Sequence, residues 1–200
     1  MPYTFLTETY ATEIEKVLSV WAMFDDADMK RRPHPADTRG RNLHEHMVHQ
    51  CVSENLWFNT MLGITVTDQP LPDPETRLAF MARYHQHATA RLAALQGMPD
   101  GWWMEVVDFF EVRRSRAWVM TRRIAHTAHH RGQQTALLRM VNHPLHSTYG
   151  PTADTGGLMQ NHAPVIYAYP DAQTLLAEEG GARRKTDLPG PGSNAPTERP

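Results

Sequence analysis

The sequence contains one cysteine, Cys51, in a chain of 200 residues. A single cysteine excludes an intramolecular disulfide framework and a cysteine-rich zinc site. The chain also lacks any apolar run near the ~18 residues that a membrane-spanning helix needs, and its acidic, amphipathic first residues are unlike a secretory signal peptide. We therefore expect a cytoplasmic protein with no membrane partner, in which Cys51 is a small buried hydrophobic residue.

The sequence also lacks a large excess of charge of either sign. Lysine and arginine together number 20, aspartate and glutamate number 22, and the formal net charge is -2, so no overall field attracts nucleic acid. The basic residues that do cluster are Arg113, Arg114, Arg116, Arg122 and Arg123. We interpret them as a solvated helix face, and we expect no nucleic-acid partner.

Apolar residues recur at helical spacing along most of the chain. The pattern predicts four long helices and a short C-terminal one, over residues 4–26, 42–62, 74–97, 116–141 and 171–178. Residues 97–115 are ambiguous, and we interpret them as a long crossover that contains a short extended or helical piece. Four long helices with little strand signal predict an all-α protein, a four-helix bundle.

The composition also divides the chain into a domain and a tail. Residues 1–178 are predicted to form a single helical bundle domain, with an irregular C-terminal extension from about residue 143. From Gly180 onward the chain consists of glycine, proline and charged residues with almost no apolar side chain. Such a composition cannot bury enough apolar surface to fold, so we predict a disordered tail over residues 179–200.

Histidine is abundant, with 12 residues, and two of them form a pair on the last long helix. His126 and His130 are four residues apart, so they differ by about 40° around the helix and project from one face. Two imidazoles in this arrangement suit a divalent transition metal. His129 lies about 100° from His130, so we choose His130 rather than His129 as the second ligand.

The second predicted helix carries His44, His46 and His49. His49 shares its stripe with small, polar and apolar residues, a mixture that suits the wall of a cavity, and His46 one turn earlier remains an alternative. Glu54 lies about 140° from His49 and is predicted to pair with an arginine on a neighbouring helix. The competing interpretation of all these histidines is structural: one hydrogen-bonded core residue and several surface ones.

The pattern excludes two named metal motifs. Residues 44–48 read His-Glu-His-Met-Val, which lacks the second histidine of the HExxH zinc-protease motif, and position 127 is threonine where that motif has glutamate. The paired Glu-x-x-His signature of di-iron bundles is absent too.

The segment His126-Thr127-Ala128-His129-His130-Arg131-Gly132-Gln133 resembles the H-x-x-x-H-R-G-Q signature on the fourth helix of the DinB/YfiT-like superfamily. His49, followed five residues later by Glu54 and then by Trp57, is similar to the looser second-helix pattern of that superfamily. The resemblance covers roughly residues 5–145. It implies an up-down-down-up bundle, frequently a homodimer, that binds a metal through His49, His126 and His130.

The resemblance also suggests a chemistry, because characterised members include bacillithiol and mycothiol S-transferases and a mycothiol-dependent maleylpyruvate isomerase. We therefore expect a metal-dependent enzyme that acts on a small molecule with a low-molecular-weight thiol. Zn or Ni is the expected metal, with Fe as a further option, and Gln133 is a candidate to orient a metal-bound group. Asp154 and His162 in the extension are candidates to approach the metal, although a structural turn is the favoured interpretation. No catalytic residue is predicted, and the alternative function is a non-catalytic, metal-binding stress-response protein.

Overall fold

The computed structural model describes residues 2–149, 154, 166 and 168–184. Within these residues there are six helices and one two-stranded sheet: α1 (Thr4–Met23), α2 (Leu43–Trp57), α3 (Arg77–Gln96), α4 (Asp100–Met104), β1 (Val106–Phe109), β2 (Val112–Ser115), α5 (Arg116–Met140) and α6 (Ala172–Glu179). A 3-10 turn (Asp26–Asp28) follows α1, and a π-helical turn (Phe58–Leu62) continues α2. The predicted all-α class is confirmed, whereas the up-down-down-up topology stays a prediction.

The chain divides into two compact units. The first comprises Met1–Ile14 and His44–His130, and the second comprises Glu15–Leu43 and Arg131–Pro200. Helices α1 and α5 contribute residues to both units. Among the described residues, every helix is either too short or too polar to cross a membrane.

Helix α3 buries one stripe in the first unit. Its buried apolar side chains are Phe80, Met81, Tyr84, Ala88 and Leu95. Phe80 and Met81 are adjacent, and the others follow Met81 at intervals of three, four and seven residues, which is the spacing of one helical face. The helix begins at Arg77 because the Thr76 hydroxyl accepts a hydrogen bond from the backbone N–H of Ala79 at 3.2 Å and so caps the first turn. The sequence pattern had predicted the start at Pro74, three residues too early.

Helix α2 continues into the π-helical turn and ends at Gly63. The N–H of Gly63 donates to the carbonyl of Phe58, and the φ angle of Gly63 is 68°. This left-handed conformation is unfavourable for residues that have a Cβ and common for glycine after a helix. The predicted end of the second helix is therefore confirmed.

The ambiguous segment, residues 97–115, contains both a short helix and an extended piece. Residues 100–104 form the short helix α4, and β1 then pairs with β2 as an antiparallel hairpin in which Val106 is opposite Ser115 and Phe109 is opposite Val112. Two residues make the loop, and the first of them, Phe110, has a φ of 51°. This is a rare conformation for a bulky aromatic residue.

The second unit has its own core. Its buried apolar residues include Val17, Leu18, Trp21, Phe24, Leu137, Leu138, Leu145 and Leu175. The indole Nε1 of Trp21 donates to the amide oxygen of Gln134 at 3.3 Å. A buried indole N–H requires such a partner, so this hydrogen bond connects α1 to α5 within the unit.

An ionic cluster in the second unit includes the first residues of the predicted tail. Arg183 contacts Asp25 at 2.7 Å and Glu179 at 3.1 Å, and the carboxylate of Asp28 accepts a hydrogen bond from His143 at 2.6 Å. Arg183 thus connects the end of α6 to the segment after α1. The greater part of the predicted tail, residues 185–200, lies outside the described residues, and the domain boundary at 178 stays a prediction.

Candidate metal centre

Three histidine side chains converge in the first unit. His49 comes from α2, and His126 and His130 come from successive turns of α5. One ring nitrogen from each lies within 4.8 Å of those of the other two, and the Nε2 atoms of His126 and His130 are 3.2 Å apart. His130 is buried, whereas the other two imidazoles are partly exposed. The three nitrogens therefore lie close together, and two of the three rings are partly exposed to solvent.

The three rings lie against one another, and His130 contacts both of the others edge to face. Ring centroids are 4.5 Å apart for His126 and His130, 4.6 Å for His49 and His130, and 5.4 Å for His49 and His126. The indole of Trp57 lies over His126 with a centroid distance of 5.4 Å. Among the described residues, Nδ1 of His126 is buried without a hydrogen-bond partner, so packing against Trp57 fixes the orientation of this ring.

The structure brings together the three histidines that the sequence singled out. The ring of His129 is 5.0 Å from that of His130, and the ring of His46 is 5.7 Å from it. Neither residue belongs to the group of converging nitrogens found among the described residues. The geometry therefore agrees with the choice of His130 over His129 and of His49 over His46, while the ligand assignment itself stays a prediction.

The donor set fits a divalent transition metal. Burial first, and then the positive charge of Arg123 and the neighbouring rings of His130 and His49, lower the pKa of His126 to about 3. The imidazole is therefore neutral near pH 7 and carries a lone pair, which is the form that binds metal. Three imidazoles whose ring nitrogens converge match the ligand set of three-histidine sites that have an open position.

A buried network of charged and polar groups joins α2 to α5 beside the histidines. The carboxylate of Glu54 accepts a hydrogen bond from the Tyr10 hydroxyl at 2.6 Å and one from Arg91 at 3.3 Å. The guanidinium of Arg123 is 3.8 Å from the same carboxylate and donates to the hydroxyl of Ser53 at 3.1 Å. Glu54 therefore pairs with arginines on neighbouring helices, as the sequence predicted.

The sequence interpretation placed Arg123 wrongly. We expected it on a solvated face with four other arginines, but its side chain is 0% exposed. Besides Ser53 it donates to the hydroxyl of Thr127, one turn further along α5, at 3.1 Å. One feature of the sequence could have indicated that Arg123 is buried. It lies four residues before Thr127 and three before His126, on the side of α5 that carries the histidines.

The sequence also suggested three further residues that could approach the metal or orient a group bound to it. Gln133 is exposed on α5. The carboxylate of Asp154 accepts two hydrogen bonds from Arg139, at 2.7 Å and 2.5 Å, which supports the structural interpretation of this residue. His162 lies outside the described residues.

Aromatic residues of the β1–β2 hairpin lie against Trp57. The Phe109 ring is 5.1 Å from Trp57 and 5.0 Å from Trp118, and the Phe110 ring is 6.1 Å from Trp57. The hairpin therefore covers the indole that itself contacts His126. The sequence could not predict this cover, because the segment that forms it had no clear periodicity.

A cavity of about 520 Å³ adjoins His49. The described residues that line it all belong to α2 and include His49, Val48, Val52, Leu56 and Glu45. One imidazole of the candidate centre thus forms part of a cavity wall, which agrees with the prediction made from the mixed composition of the His49 stripe.

The fold and the histidine cluster together define a class, an all-α helical protein with a three-imidazole candidate metal centre. Comparison with known proteins gives this class a family. The sequence profile of the DinB family matches residues 6–157, and the chain belongs to the DinB family. No curated protein matches the sequence.

Two solved structures share the fold. A DinB-like protein from Bacillus cereus ATCC 10987 superposes with a TM-score of 0.63 and 20% sequence identity, covering 72% of this chain and 95% of that one. A DinB-like protein from Bacillus subtilis, YjoA, superposes with a TM-score of 0.55 and 12% identity, covering 71% of this chain and 95% of that one. At these identities the similarity establishes the fold alone.

Proposed function

We propose that the protein is a metal-dependent enzyme in which His49, His126 and His130 hold a divalent transition metal, with Zn or Ni as the first candidates and Fe as the next. The observation that carries the proposal is the convergence of three ring nitrogens within 4.8 Å of one another. Two of them, the Nε2 atoms of His126 and His130, are 3.2 Å apart. If both rings carried a proton on Nε2 the two N–H groups would oppose each other, whereas lone pairs at these positions suit a shared cation.

The proposed reaction class is transfer or isomerisation that depends on a low-molecular-weight thiol. A divalent metal at this centre would supply Lewis acidity, which lowers the pKa of a bound thiol and increases the thiolate fraction. In an S-transfer the thiol sulfur forms a bond to an electrophilic carbon, the leaving group departs with its electron pair, and the thiol proton passes to solvent. Membership of the DinB family supports this choice of chemistry.

The chain's own residues have three roles in this proposal. Trp57, under the hairpin, excludes water from one side of His126. The Glu54–Arg123 pair keeps α2 at a constant distance from α5, so that His49 stays within reach of the other two ligands. The α2 cavity leaves His49 open to a small molecule.

The first test compares metal content in wild type, His126→Ala and His129→Ala. We expect about one divalent metal per chain in wild type. Loss of a ligand should weaken metal affinity by at least about 100-fold, since even outer-shell partners are worth about 10–100-fold. His129→Ala is the matched control, because it removes an imidazole next to the centre but outside the converging group, and its metal content should equal that of wild type.

The measurement is elemental analysis of each purified protein after incubation with Zn, Ni or Fe and dialysis, together with its melting temperature. A wild-type protein that holds no metal, and whose melting temperature none of the three metals changes, would contradict the proposal. Metal-loaded protein is then assayed for conjugation of bacillithiol, mycothiol or glutathione to a model electrophile. Turnover that His126→Ala abolishes supports the enzyme, and bound metal without turnover favours the non-catalytic stress-response function.

A further inference from the structure

The ring of His126 is held differently from that of an ordinary metal-binding histidine. In most metal centres the ring nitrogen that does not bind the metal donates a hydrogen bond to a carboxylate or a carbonyl, and this partner fixes the orientation of the imidazole. Nε2 of His126 faces Nε2 of His130 at 3.2 Å, so Nδ1 is the nitrogen that such a partner would hold. Nδ1 is buried and has no hydrogen-bond partner among the described residues. Packing therefore has to do what the hydrogen bond does elsewhere.

The indole of Trp57 provides this packing. Its ring centroid is 5.4 Å from that of His126, and the two ring planes are inclined by 30°, which is closer to stacking than to an edge-to-face contact. The other two contacts of the His126 ring, with His49 and His130, are inclined by 53° and 82°. Trp57 is therefore the neighbour that lies most nearly parallel to this imidazole, and rotation of the imidazole would break the contact.

Trp57 is itself held in place by its neighbours. Its side chain is buried, and the ring of Phe109 from the hairpin contacts it edge to face at 5.1 Å. The guanidinium carbon of Arg123 is 5.4 Å from the centroid of the indole, within the range of a cation–π contact. Hydrogen bonds to the hydroxyls of Ser53 and Thr127, each at 3.1 Å, fix this guanidinium in turn. A continuous series of contacts therefore runs from the buried arginine through the indole to His126.

We propose that Trp57 is a positioning residue of the candidate metal centre: its indole, anchored by Arg123, holds the His126 imidazole at the angle from which Nε2 can bind the metal. This inference rests on the proposed function, because it concerns the same centre. It assigns the coordination geometry of one ligand to an aromatic contact in place of a hydrogen bond. Loss of the indole leaves all three imidazoles in the chain but allows the ring of His126 to rotate.

The test measures binding of Co²⁺ to full-length wild type, Trp57→Leu and Trp57→Phe by titration in visible light. Co²⁺ is the probe because its visible absorption reports coordination number and geometry, and because it lies between Fe²⁺ and Ni²⁺ in affinity for such sites. We expect Trp57→Leu to bind Co²⁺ about 10–100-fold more weakly, the usual cost of losing an outer-shell partner, and with an altered spectrum. Trp57→Phe keeps a ring that can stack on His126 and should restore the wild-type spectrum and most of the affinity.

Two other tryptophans provide matched controls. Trp103 is buried in the same unit and stacks on Tyr3 at 5.7 Å, so Trp103→Leu removes a buried indole that packs on a tyrosine instead of a histidine. Trp118 belongs to the aromatic cluster of the hairpin and contacts Phe109 at 5.0 Å, one ring further along than Trp57. Both control variants should bind Co²⁺ with the affinity and the spectrum of wild type.

A second non-aromatic variant, Trp57→Met, makes the test independent of whether Trp57→Leu folds. The flexible methionine side chain can refill the space of the indole but has no ring to stack, and circular dichroism identifies any variant that does not fold. Wild-type affinity and spectrum in the folded non-aromatic variants would overturn the inference. So would an equal loss of affinity in Trp57→Phe, or in Trp103→Leu, because the cause would then be something other than stacking on His126.

The pattern of results separates the two proposals. If wild type and the non-aromatic variants of Trp57 bind Co²⁺ equally well, the metal centre stands and the positioning role is wrong. If wild type binds neither Co²⁺ nor any of the three candidate metals, the proposed function fails, and the positioning role fails with it.

Discussion

The thiol of Cys51 lies inside the first unit, where burial first and the Glu54 carboxylate second raise its pKa to about 12. The thiolate is the reactive form, and it appears only as the pH approaches that raised value. At pH 8 about one thiol in ten thousand is therefore ionised. Buried on α2, Cys51 is the small hydrophobic residue that the sequence predicted.

We expect native protein at pH 8 to resist labelling by Ellman's reagent over an hour. The same protein in 6 M guanidinium chloride should release about one thiol per chain, because unfolding restores an ordinary pKa near 8.5. The measurement is absorbance of the released thiolate dye, with the unfolded sample as the control. Stoichiometric labelling of the native protein within minutes would contradict the buried, neutral thiol.

The buried environment of Glu54 leads to a prediction about stability. Its carboxylate faces the guanidinium groups of Arg91 and Arg123 where both arginine side chains are almost fully buried. Removal of the carboxylate leaves two buried cations without their anion, a change that typically costs about 3–5 kcal/mol. We therefore expect Glu54→Ala to lower the free energy of unfolding by that amount in urea denaturation.

Glu15→Ala serves as the control for Glu54→Ala, since Glu15 is an exposed glutamate on α1. Its effect should stay within about 0.5 kcal/mol. A loss below about 1 kcal/mol in Glu54→Ala would mean that the arginines find other partners when the carboxylate is removed.

At the scale of elements, periodicity predicted the long helices well and the connections less well. The end of α2 could be predicted because Gly63 stops a helix for a local reason, its access to positive φ. The start of α3 could not, because Thr76 and the proline two residues before it are both acceptable first-turn residues. The β1–β2 hairpin lacks an Asn-Gly or Asp-Gly turn and depends on contacts between Phe109 and Trp57, which come from distant parts of the chain.

One glycine at the end of a helix and another inside a helix give opposite predictions for substitution by alanine. Gly63 has a φ of 68° and Gly132 lies inside α5, and a Cβ at either position would meet no atom within 4 Å. Gly63→Ala should therefore destabilise the protein by about 1–2 kcal/mol through backbone strain alone. Gly132→Ala should stabilise it by about 0.5–1 kcal/mol, because alanine loses less backbone entropy within a helix.

Thermal and urea denaturation of these two glycine variants measure the difference. Each serves as the control for the other, because both add one methyl group in open space. If Gly63→Ala were as stable as Gly132→Ala, this result would contradict the left-handed backbone conformation of Gly63 at the end of α2.

At the scale of the whole molecule, the fold class and the centre of the candidate site could be predicted from the sequence for different reasons. Helical spacing alone aligned His126 with His130. His49 required the family resemblance, because three histidines compete on α2 and spacing does not say which one faces α5. Arg123 could not be predicted, since a buried arginine and a solvated one look alike until the partner carboxylate of Glu54 is located. The homodimer, the cytoplasmic location and the thiol substrate stay predictions.

His49 is separated from His126 and His130 by the whole of α3 and the hairpin, and this separation has a consequence for the life of the protein in a cell. A metal ion that requires all three imidazoles binds the folded chain and not the unfolded one. At a free concentration a thousand times its dissociation constant, it would add about 4 kcal/mol to the stability of the fold. Scarcity of that metal would then raise the unfolded population and expose the chain to proteases, so the abundance of this protein would follow the metal supply.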